Sequence, residues 1–156
     1  ALYTCVGTPL LWQGQEFADN YVLPNDGNGR ICYRRDVHWE YFYDAYGQPL
    51  IRLYRLLGSL RSKLPALRSS ESFYYRNESR TADGIVAYRR QSTTAKQTTI
   101  VFLNFSDTVQ QITVPISEPG TYQEMIDGKQ TVTVEQADLL LTVAIPSHYG
   151  SIFLLK

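Results

Sequence analysis

Two hydrophobic periods divide this chain. Leu50, Leu53, Tyr54, Leu57, Leu60 and Leu64 recur at helical spacing, with Arg52, Arg55, Ser59, Arg61 and Ser62 mainly on the other side. Pro49 suits a first helical position, Arg61 and Lys63 suit the negative end of the helix dipole, and Pro65 closes the element. After Arg68 the period changes to two. Candidate strands cover 72–76, 84–91, 98–105, 109–116, 121–126, 130–135, 139–145 and 150–155. Ile112, Val114 and Ile116 share one face against Gln111, Thr113 and Pro115, and Leu139, Leu141, Val143 and Ile145 share another. Turn formers separate the strands at 82–84, 104–107, 118–120 and 127–128. Short strands at such regular spacing predict an antiparallel β-sandwich, with the boundary near Arg68 to Glu71. No internal repeat or low-complexity tract is evident.

The N-terminal part reads differently. Pro9-Leu10-Leu11-Trp12 is continuously apolar after a Gly-Thr turn, which fits a strand buried on both faces. One such strand cannot satisfy its own backbone groups, so its neighbours are expected from absent sequence or from a second copy of the chain. Ala1 to Val6 reads as the end of an apolar element that starts earlier, and the chain does not begin with Met. An excised piece or a processed product is the expectation. Residues 19–35 are loop-like. Pro24-Asn25-Asp26-Gly27-Asn28-Gly29 is dense in turn formers and resembles a calcium loop, but lacks the terminal Glu.

Composition narrows the classes. The chain has 156 residues, and its 44% hydrophobic and 19% charged content is ordinary for a globular protein. Twelve tyrosines and six phenylalanines lean towards strands. Zero net charge leaves no electrostatic footprint for nucleic acid or an anionic membrane. No apolar run approaches the roughly 20 residues of a spanning helix, and no signal peptide is visible, so a cytoplasmic location is expected. The basic side of the 50–64 helix reads as a solvated face. Cys5 and Cys32 are too few for a disulfide framework. They read as buried or neutral thiols, with a bridge between them left open.

Several motifs together resemble a known family. Gly7-Thr8-Pro9-Leu10-Leu11-Trp12-Gln13-Gly14-Gln15-Glu16-Phe17 resembles the eighth barrel strand and following loop of α-amylase superfamily enzymes, which are retaining glycoside hydrolases and transglycosylases. Arg34-Arg35-Asp36-Val37-His38-Trp39 and the helix ending in Leu64-Pro65-Ala66-Leu67 resemble the eighth barrel helix and its approach. The stretch from Gly120-Thr121-Tyr122 to Gly128, and Ile145-Pro146-Ser147-His148-Tyr149-Gly150-Ser151, resemble the last strands of the C-terminal sandwich. The resemblance implies a mainly β chain: an antiparallel sandwich over 69–156, preceded over 1–68 by a strand–loop–helix fragment of a (β/α)8 barrel.

It also implies which residues are absent. Retaining glycoside hydrolysis needs two carboxyl groups about 5–5.5 Å apart. In the family these follow the fourth and fifth strands, with a further Asp after the seventh, so no catalytic residue carries over. Glu16, Asp19, Asp36, Glu40 and Asp44 cluster in one loop region, but no pair has a spacing that predicts that geometry. Gln13, Gln15, Glu16 and Trp39 are the candidate substrate-binding residues. The first three either shape the rim of a glucan cleft or fix their own loop. Trp39 either stacks on a sugar ring or packs, and Trp12 reads as packed. His38 and His148 lie far apart with no ligand spacing, so no metal and no cofactor are expected. Asn77-Glu78-Ser79 and Asn104-Phe105-Ser106 match glycosylation acceptors, which matter only in a secretory setting.

The leading expectation is the C-terminal part of an α-glucan-active enzyme, inactive alone, whose partners are the missing barrel and, through it, an α-glucan. A carbohydrate-binding module is the alternative, requiring Tyr74, Tyr75, Tyr88, Phe102, Phe105 or Tyr122 to be exposed along one face. A third reading is an interaction protein that forms homo-oligomers through its N-terminal segment.

Overall fold

The computed structural model describes residues 1–20, 27, 28, 32, 34 and 36–156. The turn-rich 24–29 segment, apart from Gly27 and Asn28, lies outside the described residues. Two compact units form: residues 1–8 with 59–156, and residues 9–58.

All eight expected strands are present in the larger unit: β1 (Ser72–Tyr74), β2 (Ile85–Ser92), β3 (Gln97–Asn104), β4 (Gln110–Pro115), β5 (Gly120–Glu124), β6 (Thr131–Val134), β7 (Leu140–Ile145) and β8 (Tyr149–Leu155). One sheet has the order β1-β2-β3-β8-β5-β6 and the other is the pair β4-β7. Every pairing is antiparallel. The two-residue period sets the layers. In the pair, Ile112 faces Val143 and Val114 faces Leu141, all buried, while Thr113 and Thr142 face outward with their hydroxyls 2.9 Å apart. Ile85, Ala87, Ile100, Phe102, Tyr122 and Phe153 from the larger sheet join them in one core. The rings of Phe102 and Phe153 meet edge to face at 5.8 Å.

Asn104 closes one end of this sandwich. Its amide nitrogen donates to the carbonyls of Thr108 (2.8 Å), Ile145 (3.1 Å) and Pro146 (2.9 Å), tying β3 to the end of β7. Tyr75, Tyr88, Phe102 and Tyr122 are buried; only Tyr74 and Phe105 of the six aromatics considered for sugar binding are exposed.

The second face of the large sheet is also covered. Helix α3 (Pro65–Arg68) packs on β2 and β3, with Ala66 and Leu67 fully buried. Pro65 thus ends one helix and starts another. Arg90, on the same face as Tyr88, is only 1% exposed. Its guanidinium donates to the carbonyls of Thr4 (2.8 Å), Leu67 (3.5 Å) and Ser69. Arg61 donates to the carbonyls of Tyr3 (2.8 Å), Cys5 (3.1 Å) and Gly7. Thr4 Oγ1 and the Tyr88 hydroxyl lie 2.5 Å apart. Two arginines therefore hold the first turn of the chain by its backbone.

The remaining helices are α1 (Glu40–Tyr43) and α2 (Gly47–Lys63). α2 starts two residues before Pro49, because Asp44 Oδ1 accepts from the backbone N–H groups of Tyr46 and Gly47. Ile51 and Leu60 are its buried hydrophobic side chains, and Leu50, Leu53, Tyr54 and Leu57 are half-buried.

Three expectations are corrected. Residues 9–12 are not a strand: Leu10 is 82% and Trp12 63% exposed. No strand among the described residues pairs with this run, so its side chains stay largely in water. Trp12, expected to be packed, is instead largely exposed. Cys5 and Cys32 are both free and exposed rather than buried or bridged. Of the two glycosylation motifs, Asn77 is exposed, whereas Asn104 is buried and fully bonded.

Candidate substrate-binding loop

Within residues 9–58, two short segments build the candidate site. The first is the loop 12–19. Gln15 N–H donates to the Trp12 carbonyl at 3.0 Å, and Gln15 Oε1 accepts from the Trp12 N–H at 3.2 Å. This reciprocal pair starts a 3-10 turn over Gln15–Phe17. Gly14 precedes the turn with φ 81°, and a Cβ there would sit 2.5 Å from the Asp19 Cβ. Only glycine fits that left-handed position. The turn buries Phe17 and leaves Gln13 and Gln15 exposed and Glu16 half-exposed.

The second segment is 36–44. Asp19 accepts from the His38 N–H at 3.4 Å, joining the two. Phe17 provides the apolar join: its ring lies 6.1 Å from Trp39 and 6.1 Å from Phe42, and Trp39 meets Phe42 at 6.2 Å. Trp39 keeps 60% of its surface in solvent. The structure thus brings Glu16 and Trp39 into one neighbourhood through the residue between them in the packing, Phe17. Sequence reasoning passed over Phe17 and Phe42 as anchors. Their signal was the aromatic density of Phe17 and of Trp39 to Tyr43.

Four of the nearby carboxylates, Asp19, Asp36, Glu40 and Asp44, have local partners. Asp36 pairs with Arg34 at 2.7 Å, and Asp44 caps α2. Glu40 lies 2.8 Å from His38 Nδ1. That hydrogen bond raises the His38 pKa, opposed by desolvation and aided by the charges of Glu40, Asp19 and Asp36. Glu40 is lowered in turn, first by its backbone hydrogen bond and then by His38. The His38 ring also stacks on Tyr41 at 5.7 Å. Among the described residues, no group of three or more His, Cys, Asp or Glu is arranged to hold a metal ion. What the two segments offer chemically is a braced, solvent-facing indole on one and two exposed amides on the other. Indole faces and amides suit a polyhydroxylated ring, since amides both donate and accept.

The comparisons with known proteins converge on one family. The family model described as "Alpha amylase, C-terminal all-beta domain" matches residues 75–156. The alpha-amylase MalA of Haloarcula japonica is 30% identical over 146 residues, covering 92% of this chain and 19% of the relative. The crystal structure of an Anoxybacillus alpha-amylase superposes with a TM-score of 0.70 at 20% identity, covering 99% of this chain and 30% of that one. A structure of an AmyP variant in complex with maltotriose superposes at 0.73 with 14% identity, covering 99% and 33%. The chain therefore spans about a fifth of the length of the curated relative and about a third of these solved structures. With its sandwich matched strand for strand by the expected pattern and more than half its length covered by the family model, the chain belongs to the alpha-amylase C-terminal all-beta domain family.

Proposed function

We propose that this chain is the C-terminal part of an α-glucan-active glycoside hydrolase or transglycosylase and is not catalytic alone. The observation that carries the proposal is the extent of the structural match. It covers 99% of the chain in two amylase-type structures, including the residues before 75 that the family model does not reach. On this reading residues 1–68 are the terminal segment, loop and helix of a catalytic barrel, with 9–12 becoming a paired strand only beside the rest of that barrel, and 69–156 are the sandwich that follows. Trp39 stacks on a sugar ring, while Gln13, Gln15 and Glu16 line the rim of the glucan cleft. Gln15 also braces its own loop through Trp12, so the two roles assigned to these residues are compatible. The maltotriose bound in the AmyP variant structure supports a maltooligosaccharide as ligand of the whole enzyme.

The test is the natural reading frame that contains this chain, expressed whole and assayed for reducing ends released from, or new linkages formed in, soluble starch. Activity is expected in the longer polypeptide and none in the 156-residue chain. Trp39→Ala in the longer polypeptide is expected to raise KM roughly two- to tenfold, the range of one aromatic contact. A frame with no barrel, or a barrel inert on α-glucans, overturns the proposal.

A further inference from the structure

A second polar concavity lies in the sandwich, away from the loop described above. It occupies about 570 Å³ between the ends of β5, β7 and β8, within the roughly 300–1,000 Å³ typical of small-molecule sites. At its floor is Glu124, 2% exposed. Its Oε2 is saturated, accepting from the N–H groups of Ile126 (2.8 Å), Asp127 (2.7 Å) and Gly128 (3.1 Å). Its Oε1 has only one long bond, from the Ile152 N–H at 3.4 Å. One carboxylate oxygen therefore builds the β5–β6 turn and the other retains accepting capacity.

Three further polar side chains of the lining are unfilled: those of Ser151, Gln130 and Tyr149. Ser151 is 4% exposed and lines the cavity, and its hydroxyl makes no hydrogen bond to another described residue. Among the described residues, the Gln130 side-chain amide and the Tyr149 hydroxyl make none either. Burial raises the Tyr149 pKa, with the Glu124 and Asp127 charges adding to it, so its phenol keeps the proton and can donate. Ala144 and Pro146 supply an apolar wall beside the Tyr149 ring.

The charge pattern selects the ligand class. Lys129 Nζ sits 3.8 Å from Asp127 Oδ2 on the rim, which disfavours a bare cation, while the two carboxylates disfavour an anion. A neutral ligand that donates and accepts through several hydroxyls, with one apolar ring face for Tyr149, satisfies every open group at once. We infer that this pocket binds a neutral saccharide, holding a sugar residue by Glu124 Oε1, Gln130, Ser151 and the Tyr149 ring. That the sugar belongs to an α-glucan rests on the proposed function; the saccharide class rests on the pocket alone.

The test is a titration of the 156-residue chain with maltotriose and with cellotriose, followed by amide NMR shifts, in the wild type, Gln130→Ala and Ser151→Ala. Saturable shifts over residues 124–130 and 144–151 are expected with maltotriose, weakened about five- to tenfold in each variant, as loss of one hydrogen bond requires. Gln130 lies at the rim, so its variant keeps the fold even if Ser151→Ala does not. Shifts confined to the surroundings of Trp39, no shifts at all, or variants that bind as the wild type does overturn the pocket; the first of these leaves the glucan reading standing. Saturation of the pocket by cellotriose but not maltotriose supports the pocket and counts against the α-glucan reading.

Discussion

Arg90→Met separates two opposed effects in the larger unit. The guanidinium is buried without a carboxylate partner: its acceptors are the carbonyls of Thr4, Leu67 and Ser69, and its Nε–H has no partner. Burial lowers its pKa, yet an arginine stays charged at neutral pH. Hydrogen bonds from a charged donor contribute about 1.5–3 kcal/mol each. The bonds to Thr4 and Ser69 are well made and the 3.5 Å bond to Leu67 is marginal, giving a gross loss of about 3–6 kcal/mol on removal. Met removes the desolvation cost of the charge, which offsets several kcal/mol, and it keeps the apolar stem packed. Three carbonyls then lack their donor. The net expectation is a loss of about 2–3 kcal/mol, a large share of the roughly 5–15 kcal/mol of a typical domain. Arg61→Met removes the same kind of bond from Tyr3, Cys5 and Gly7 at a more solvated position, where water replaces the donor, so about 1 kcal/mol is expected. Urea unfolding of both variants at constant m-value measures the difference. An Arg90→Met chain as stable as the wild type, or less affected than Arg61→Met, refutes the claim that the buried bonds outweigh desolvation.

Three further outcomes are expected. In Gly47→Ala the new Cβ runs into the Tyr41 carbonyl oxygen, a backbone atom; a shift of α1 against α2 costing about 1–3 kcal/mol is expected, read by circular-dichroism melting. Glu124→Gln replaces a charged acceptor of three turn amides by a neutral one and lowers stability by about 2–3 kcal/mol in urea unfolding. The His38 pKa is raised in the folded state, so its pairing with Glu40 stabilises fully below about pH 6.5 and the contribution is lost as pH rises through the folded pKa. An NMR titration is expected to find His38 above its ordinary value and Glu40→Gln to return it there; an unchanged midpoint in the variant removes Glu40 as the cause.

The sandwich was legible because strand period and burial coincide. Where Ile112, Val114, Leu141, Val143 and Ile145 alternate with polar residues, the pattern leaves one possible inner face. The turn formers at 104–107 and 127–128 carried more than punctuation, since Asn104 and Glu124 put buried polar atoms against those turns. What the pattern hid was long-range and polar. Arg90 alternates like a surface residue of β2, but its face is covered by α3 and the first residues of the chain, neither of which is adjacent in sequence. At the candidate loop, Gln15 and Trp39 were visible as residue types, whereas the Phe17–Trp39–Phe42 cluster that braces them required the fold of two separated segments.

The two units differ in how well their sequence suits the structure they form. Apolar periodicity in the sandwich ends in buried side chains, so local pattern and tertiary packing agree. Residues 9–12 have the most continuous apolar pattern in their region, and it ends in water, with Leu10 and Trp12 among the most exposed large side chains. Such a run is selected to be covered, because exposed contiguous apolar surface marks an interaction site or an aggregation liability. The proposed function supplies the cover as neighbouring barrel strands. A self-association reading supplies it as a second copy. The two separate on one property: barrel strands bury 9–12 in the longer polypeptide at any dilution, whereas pairing of copies protects those amides from hydrogen exchange in the 156-residue chain only as its concentration rises.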